Sequence, residues 1–365
     1  MAVSKIYFVI NTLQRGGAER VLSTLSNSLS RRDYQVTIVC MNQALRGYPI
    51  AEDVKVVTLV NRNKPQNLWR RIEYGVMTGC RLFRLLLLDR PSCVISFMTS
   101  ANLWTGLTCG IVGIPYIVSE RTTPELTIHQ LSKFHKWLSY HIYKNSKAIV
   151  IPARGIEEAM KHEYKFRRLH NYHLIRNPVY EFKPSARKGV HERKFILGIG
   201  RLSYEKGFDQ LIQAFSKVEV RNIDLLIIGV GEERSNLLAL VRQLELEDRV
   251  FLLGARKDVE HYYRAATLFV CPSRNEGYPN ALVEAMSNGC ACVAMNCEFG
   301  PAEIIEHGHN GVLVPDGDLK QLTKEIFNVL FDNTYRAALG RNASRIKETN
   351  ALNLISDQWE ELINT

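Results

Sequence analysis

The sequence has no CxxC pair, no apolar run of bilayer-spanning length and no leader-like apolar core near its start. Its eight cysteines sit mostly in apolar stretches, where a thiol packs as a small hydrophobe, and this usage predicts a reducing, cytosolic setting. Cys290-Ala-Cys292 lacks the spacing of a zinc knuckle and reads as part of a buried strand, so no metal site is expected. The apolar run at 6–10 gives way to Asn11 and Arg15, too short for a secretory leader, and reads as a buried first strand. The leucines at 85–88 fall far short of the roughly 18–20 residues that cross a bilayer, and 103–118 is broken by Gly110, Gly113 and Pro115. No segment is expected to span a membrane.

What is present is bulk, hydrophobic pattern and uneven charge. A chain of 365 residues, 46% hydrophobic and 23% charged, exceeds the roughly 250–300 residues at which single cores stop growing, which predicts two domains. Residues 1–180 carry 25 Lys and Arg against 11 Asp and Glu, whereas 181–365 carry 22 against 26. The net charge of +10 is therefore +14 in the first half and −4 in the second. Clustered positive charge suits an anionic membrane surface or a nucleic acid, through long-range, salt-sensitive fields.

Short apolar runs alternate with stretches of helical period. Strands are expected at 6–10, 36–41, 54–59, 94–97, 116–118, 148–151 and 172–175, and helices at 18–29, 68–88, 126–143 and 155–164. Such β-α-β alternation implies a parallel sheet covered on both faces. Residues 176–192 lose the pattern and gather Pro178, Lys183, Pro184, Arg187, Lys188 and Gly189, as an exposed hinge would. Strands resume at 195–199, 225–228, 250–253, 268–271, 291–295 and 311–314, and a final amphipathic helix falls within a tail of about 350–365, free to pack back on the first domain. The fold class is α/β: two Rossmann-like, doubly wound domains, 1–178 and 179–349, facing a central cleft at the carboxyl ends of their strands.

Three motifs fall where that cleft would be. Gly16-Gly17-Ala18-Glu19 opens a helix after the first strand; its free N–H groups can hold a phosphate, or the glycines are plain turn chemistry. Gly200-Arg201-Leu202 ends the strand at 195–199, and Lys206-Gly207 opens the next helix. Across that turn Arg201, a fork, and Lys206, a mobile point charge, can converge on one diphosphate or stand as solvated surface charges. The stretch 276–286, EGYPNALVEAM, puts Glu276 on a loop after strand 268–271 and Glu284 in the second turn of a helix starting near Pro279. Gly277 admits close approach of a ligand and Pro279 suits a first helical position; alone, the stretch is also a helix start whose dipole favours acids.

Together these motifs resemble glycosyltransferase family 4, retaining enzymes of the GT-B fold with an E-x7-E hallmark. The resemblance spans nearly the whole chain, including the early GGAE, the GRL-x3-KG turn, Gly229-Val230-Gly231-Glu232 after a strand, and GVLVP at 311–315. It implies an acceptor-binding first domain and a donor-binding second one. It further implies that Arg201 and Lys206 bind the diphosphate of a nucleotide sugar, Glu276 faces the sugar, these three being catalytic, and Glu284 binds the ribose hydroxyls. The backbone of Gly277, Tyr278, Pro279 and Asn280 would meet sugar and phosphate, 254–257 with Arg256 would border the base, and Gly16 and Gly17 would close over the donor. No cofactor or metal is implied, and family frequency points to a UDP-hexose or UDP-N-acetylhexosamine.

Many members place a histidine after the strand comparable to 116–118, where this chain reads SERTTP at 119–124. Glu120 or Arg121 is then left for sugar or acceptor contacts, or the segment is a helix-capping loop. His129, His135 and His141 read as surface or packing residues. Residues 68–90 mix Leu68, Trp69, Ile72 and Val76 with Arg70, Arg71, Arg81, Arg84 and Arg90, as a helix at a membrane surface does, or as a core-facing helix with solvated arginines does. With the resemblance to bacterial surface-polysaccharide and lipid-linked oligosaccharide enzymes, the expectation is a cytoplasmic enzyme, peripheral at an anionic inner membrane face. Its acceptor would be a glycan, lipid-linked through polyprenyl diphosphate. A non-hydrolysing sugar-nucleotide epimerase would share the ligand but turn over without acceptor. Nucleic-acid binding is suggested by net charge alone, without a basic-aromatic module, and is not expected.

Overall fold

The computed structural model describes residues 4–44, 47–61, 67–180, 182, 189–218, 220 and 222–365. The chain divides into two compact units, Met1–Pro178 with Leu352–Thr365, and Val179–Ala351. Of the connection expected at 176–192, Lys183, Pro184, Arg187 and Lys188 lie outside the described residues.

The first unit holds seven parallel strands: β1 (Ser4–Ile10), β2 (Tyr34–Cys40), β3 (Lys55–Thr58), β4 (Cys93–Phe97), β5 (Tyr116–Ser119), β6 (Ala148–Ile151) and β7 (Tyr172–Leu174). Their order is β3-β2-β1-β4-β5-β6-β7. β4, β5 and β6 are buried along their whole length, as strands covered on both faces must be. The crossover helices are α1 (Gly17–Ser30), α2 (Leu68–Asp89), α3 (Thr99–Val112), α4 (Lys133–Asn145) and α5 (Arg154–His162). Right-handed crossovers put α2, α3 and α4 in one layer, with α2 and α4 both packed on α3.

Two local departures from the sequence expectation have physical causes. The helix expected at 126–143 begins only at Lys133, capped by the Ser132 side chain, after 3-10 turns at Pro124–Leu126 and Ile128–Gln130. There the Thr127 hydroxyl donates to the Thr123 carbonyl at 3.2 Å, one of the local bonds that compete with a helix. α3 was not expected, because its glycines and threonines blur the period. A Cβ on Gly106 would lie 2.1 Å from Ile142 Cγ2, so the glycine is what lets α3 approach α4.

The second unit repeats the plan with β8 (Lys194–Ile199), β9 (Ile223–Ile228), β10 (Val250–Gly254), β11 (Leu268–Cys271), β12 (Cys292–Asn296) and β13 (Val312–Pro315), ordered β10-β9-β8-β11-β12-β13, all parallel. Its helices are α6 (Phe208–Ser216), α7 (Arg234–Gln243), α8 (Val259–Ala265), α9 (Asn280–Ser287), α10 (Pro301–Ile304), α11 (Leu319–Phe331), α12 (Asn333–Ala343) and α13 (Ile346–Thr349). The chain then returns to the first unit as α14 (Leu352–Asn364), which packs beside α1. Trp359 of α14 is fully buried, its ring stacked on Phe97 at 5.9 Å.

Candidate active site

β8 and β11 are neighbours from which the chain turns in opposite directions, to β9 and to β12. The loops that leave their carboxyl ends diverge there, the place where doubly wound sheets take ligands. After β8 the chain makes a 3-10 turn, Tyr204–Lys206, and enters α6 through Gly207 in the left-handed region at φ 63°. A Cβ on Gly207 would stand 2.0 Å from the Pro272 carbonyl oxygen, so this turn presses directly on the loop after β11.

The pressing aligns two charged side chains. Lys206 Nζ donates to Glu276 Oε1 at 2.7 Å, and the buried Ser273 hydroxyl donates to the same oxygen at 2.7 Å. Burial works against the Lys206 ammonium, but the charge and hydrogen bond of Glu276 outweigh it and hold the pKa above the ordinary lysine value. The site therefore keeps a cation and an anion in contact.

A second pair staples the loops from outside. Arg274 forks onto Asp209, Nη1 to Oδ1 at 2.7 Å and Nη2 to Oδ2 at 2.6 Å, and stacks over the Tyr204 ring at 4.2 Å. Nη1 also donates to the Tyr204 carbonyl at 2.9 Å, and the Arg274 N–H to that of Glu205 at 2.8 Å. Gln210 Nε2 adds a bond to the Pro272 carbonyl at 3.0 Å. A bidentate, stacked guanidinium fixes geometry as a lysine could not.

α9 carries the rest of the 276–286 motif. Pro279 is its cap residue and Asn280 the first helical one, one position later than the sequence suggests. Glu284 is buried and accepts from the Tyr263 hydroxyl at 3.1 Å. Tyr278 is also buried, its hydroxyl accepting from Asn350 Nδ2 at 2.7 Å, so its side chain is committed to the interior.

Arg201 is exposed on the turn after β8. Ser203 and its own N–H, helped by the charges of Lys206 and Arg201, hold the Glu205 carboxyl below the usual range. Arg256 is exposed just after β10. In the first unit Gly16 caps α1 and Gly17 is its first residue, after β1.

The segment at 119–124 is more buried than its polarity suggests. Glu120 is 1% exposed; its carboxylate accepts from Thr99 Oγ1 and Asn102 Nδ2, both at 2.9 Å, and from the Tyr143 hydroxyl. Burial pushes the Glu120 carboxyl up, opposed by those donors and by Arg121. Of the two residues considered for sugar or acceptor contacts, Glu120 thus spends its oxygens inside the unit. Arg121 packs over Phe97 at 4.6 Å and donates to Asn177 Oδ1. The helix-capping reading of this loop holds in position: Thr123 is the N-cap residue of the 3-10 turn Pro124–Leu126, with Glu125 in its first turn and no capping bond from the Thr123 side chain. Among the described residues, no three or more His, Cys, Asp or Glu are grouped to hold a metal ion.

Two family models match end to end, "Glycosyltransferase Family 4" over residues 15–180 and "Glycosyl transferases group 1" over 181–346. The chain belongs to glycosyltransferase family 4. This family 4 glycosyltransferase is 25% identical over 356 residues to the amylovoran biosynthesis glycosyltransferase AmsD of Erwinia amylovora, covering 96% of each chain. It is 26% identical over 365 residues, 98% of each, to a Campylobacter jejuni alpha-1,4-N-acetyl-D-galactosaminyltransferase named for a GalNAc-GalNAc-diNAcBac-PP-undecaprenol acceptor. Its fold, GT-B, matches Anabaena HepE solved with UDP and glucose, at a TM-score of 0.81, 20% identity and 99% coverage of both chains.

Sequence reasoning missed several residues that build this glycosyltransferase's site: Ser273, Arg274, Asp209, Tyr263 and Asn350. Only Ser273 and Arg274 carried a signal, their place two and three residues after β11, beside Glu276.

Proposed function

We propose that the protein moves a hexose or N-acetylhexosamine, with retention of anomeric configuration, from a UDP-sugar to a glycan carried on polyprenyl diphosphate, at an anionic inner membrane face in bacterial polysaccharide or glycan assembly. The observation that carries the reading is the Lys206–Glu276 contact at 2.7 Å, at the switch point of the second sheet. In it, Lys206 and Arg201 offset the charge of the departing diphosphate, Glu276 orients the sugar and Glu284 the ribose hydroxyls. The N–H groups of Gly277 and Asn280 serve sugar and phosphate, and the turn bearing Arg256 borders the base. Two cations and a helix start facing the diphosphate make a metal unnecessary to this charge balance.

In the transfer, the bond from sugar C1 to the diphosphate oxygen breaks and its electron pair leaves with UDP. The acceptor oxygen bonds C1 from the same face, and its proton passes to the departing diphosphate. The family assignment favours this transfer over epimerisation, and nucleic acid has no role in the proposal. The donor base is supported by the fold relative solved with UDP, and the acceptor by the relative named for an undecaprenol-linked glycan.

The membrane part is supported by α2. Trp69, Ile72 and Val76 are 81%, 50% and 58% exposed, while Thr78, Leu82 and Leu86 turn to the core. An apolar stripe that faces out, flanked by Arg70 and Arg84, fits an interfacial helix better than a core-facing one. No helix among the described residues is long and apolar enough to cross a membrane. A thermal-shift panel of UDP, GDP and ADP sugars tests the donor: UDP compounds should raise the melting temperature, and silence to all three bases would overturn the reading.

A further inference from the structure

α4 is inside out. Its inward face is Ser139, Ile142 and Tyr143, with Ile142 against Gly106 of α3 and the Tyr143 hydroxyl on Glu120. Its outward face carries Lys133, Phe134, Trp137, His141 and Lys144, all exposed. The spacing of Phe134, Trp137 and His141 is i, i+3, i+7, which lays them in one stripe. Phe134 and Trp137 are 64% and 45% exposed, with ring centroids 6.1 Å apart, and His141 lies 4.6 Å from Trp137. Large aromatics gathered on a solvent face, with serine at a core position, reverse the usual order of burial.

The charge around the stripe indicates what covers it. Helix 133–145 contains no Asp or Glu, and Lys133 and Lys144 bracket the aromatics. Lys136 swings aside to pair with Glu163, which leaves the rings unobstructed. An isologous contact with a second copy would set Lys133 and Lys144 against their own equivalents on the +14 half of the chain. Lipid headgroups of negative charge accept both features: aromatic rings sit at the boundary of headgroup and acyl chain, and lysines reach the phosphates.

Topology adds a second support. α2 and α4 share a layer on either side of α3, and both run back from the carboxyl edge of the sheet. Trp69 and Phe134, each the second residue of its helix, therefore stand at the same end of that layer. We infer that the outer face of α4, through Phe134 and Trp137 flanked by Lys133 and Lys144, is a second membrane-contact element that docks on anionic phospholipid alongside α2. The inference rests on the peripheral-membrane reading, and α2 supplies the control that separates the two.

The full chain is sedimented with vesicles of phosphatidylcholine, with and without phosphatidylglycerol, at low and at physiological salt. Four forms are compared: native, Phe134→Ser/Trp137→Ser, Lys133→Glu/Lys144→Glu, and Trp69→Ser/Ile72→Ser. Removing the aromatics of α4 should weaken partitioning onto anionic vesicles by about tenfold at either salt. Reversing the lysines should weaken the preference for phosphatidylglycerol and lower the salt dependence, the remainder being carried by the arginines of α2. Each variant should keep the native UDP-induced thermal shift and transfer to a water-soluble acceptor, which certifies the fold. If the α4 variants bind as the native chain does while the α2 variant does not, the peripheral reading stands and this inference falls. If the native chain binds neither vesicle, both fall. A native dimer in sedimentation equilibrium that becomes monomeric in Phe134→Ser/Trp137→Ser, with vesicle binding unchanged, would make the face a contact between copies and overturn the lipid assignment.

Discussion

Lys206 and Glu276 lie 70 positions apart in sequence and 2.7 Å apart in space, joined only because the strands before them, β8 and β11, are neighbours at the reversal of strand order. Glu276→Ala leaves the half-buried Lys206 ammonium without its partner, and Lys206→Ala removes a cation proposed to face the donor diphosphate. Each should lower kcat/KM by about 10²–10³-fold, the range for losing one preorganised electrostatic group, with the circular dichroism spectrum unchanged. Near-native turnover in either variant would sink the assignment.

The same pair predicts a pH signature. Because the folded pKa of Lys206 is raised, the contact with ionised Glu276 adds stability that is fully present below the ordinary lysine range and is lost as pH climbs through the folded value. In Glu276→Gln the charge that outweighs burial is gone, and burial then lowers the pKa of the ammonium relative to the native protein. UDP affinity of that variant, measured by calorimetry, should begin to fall with rising pH while the native affinity is still flat.

Arg274 and Asp209 touch no expected donor atom; they hold the two loops in register. Arg274→Ala and Asp209→Ala should each reduce kcat more than they raise KM for the donor. The double variant should be no worse than Arg274→Ala, because the Asp209 contact is already lost there, whereas Asp209→Ala keeps the Arg274 stacking and bond on Tyr204 and should be the milder single change. Added guanidinium should partly restore Arg274→Ala but not the double variant; rescue of both would remove the clamp from the account.

Gly207→Ala meets two obstacles at once, a left-handed backbone and a carbonyl 2.0 Å from the new Cβ. Unfolding in urea should report a loss of about 1–3 kcal/mol. A change under 0.5 kcal/mol, inside the range of neutral surface substitutions, would mean that the turn yields easily.

Trp359→Ala empties the fully buried site against Phe97. A cost of about 3–5 kcal/mol is expected. It should appear as a lower denaturation midpoint of the first unit, with the UDP-induced shift of the second unit preserved.

The parallel strands were legible in the chain because burial on both faces turns each into a short apolar run bounded by polar residues. All thirteen strands among the described residues fall within two residues of the sequence expectation at each end. α3 escaped for the opposite reason: Gly106 and the threonines serve close packing on α4, which leaves no period to read. Glu276 and Lys206 could be singled out as motif residues, since special backbone positions such as Gly207 and Pro279 leave marks in sequence. Arg274, Asp209 and Asn350 could not, because a charged or amide side chain looks the same whether it is solvated or clamped.

By itself, then, the sequence determined the two β-α-β series, the basic first half and the motif order that marks a family 4 glycosyltransferase, all of them consequences of local pattern. The tertiary structure alone decided which carboxylate meets which cation and that Glu120 faces inward. It likewise decided that the aromatics of α4 point out. Those outcomes follow from strand order and helix rotation, which set distances between residues far apart in the chain and have no local signature.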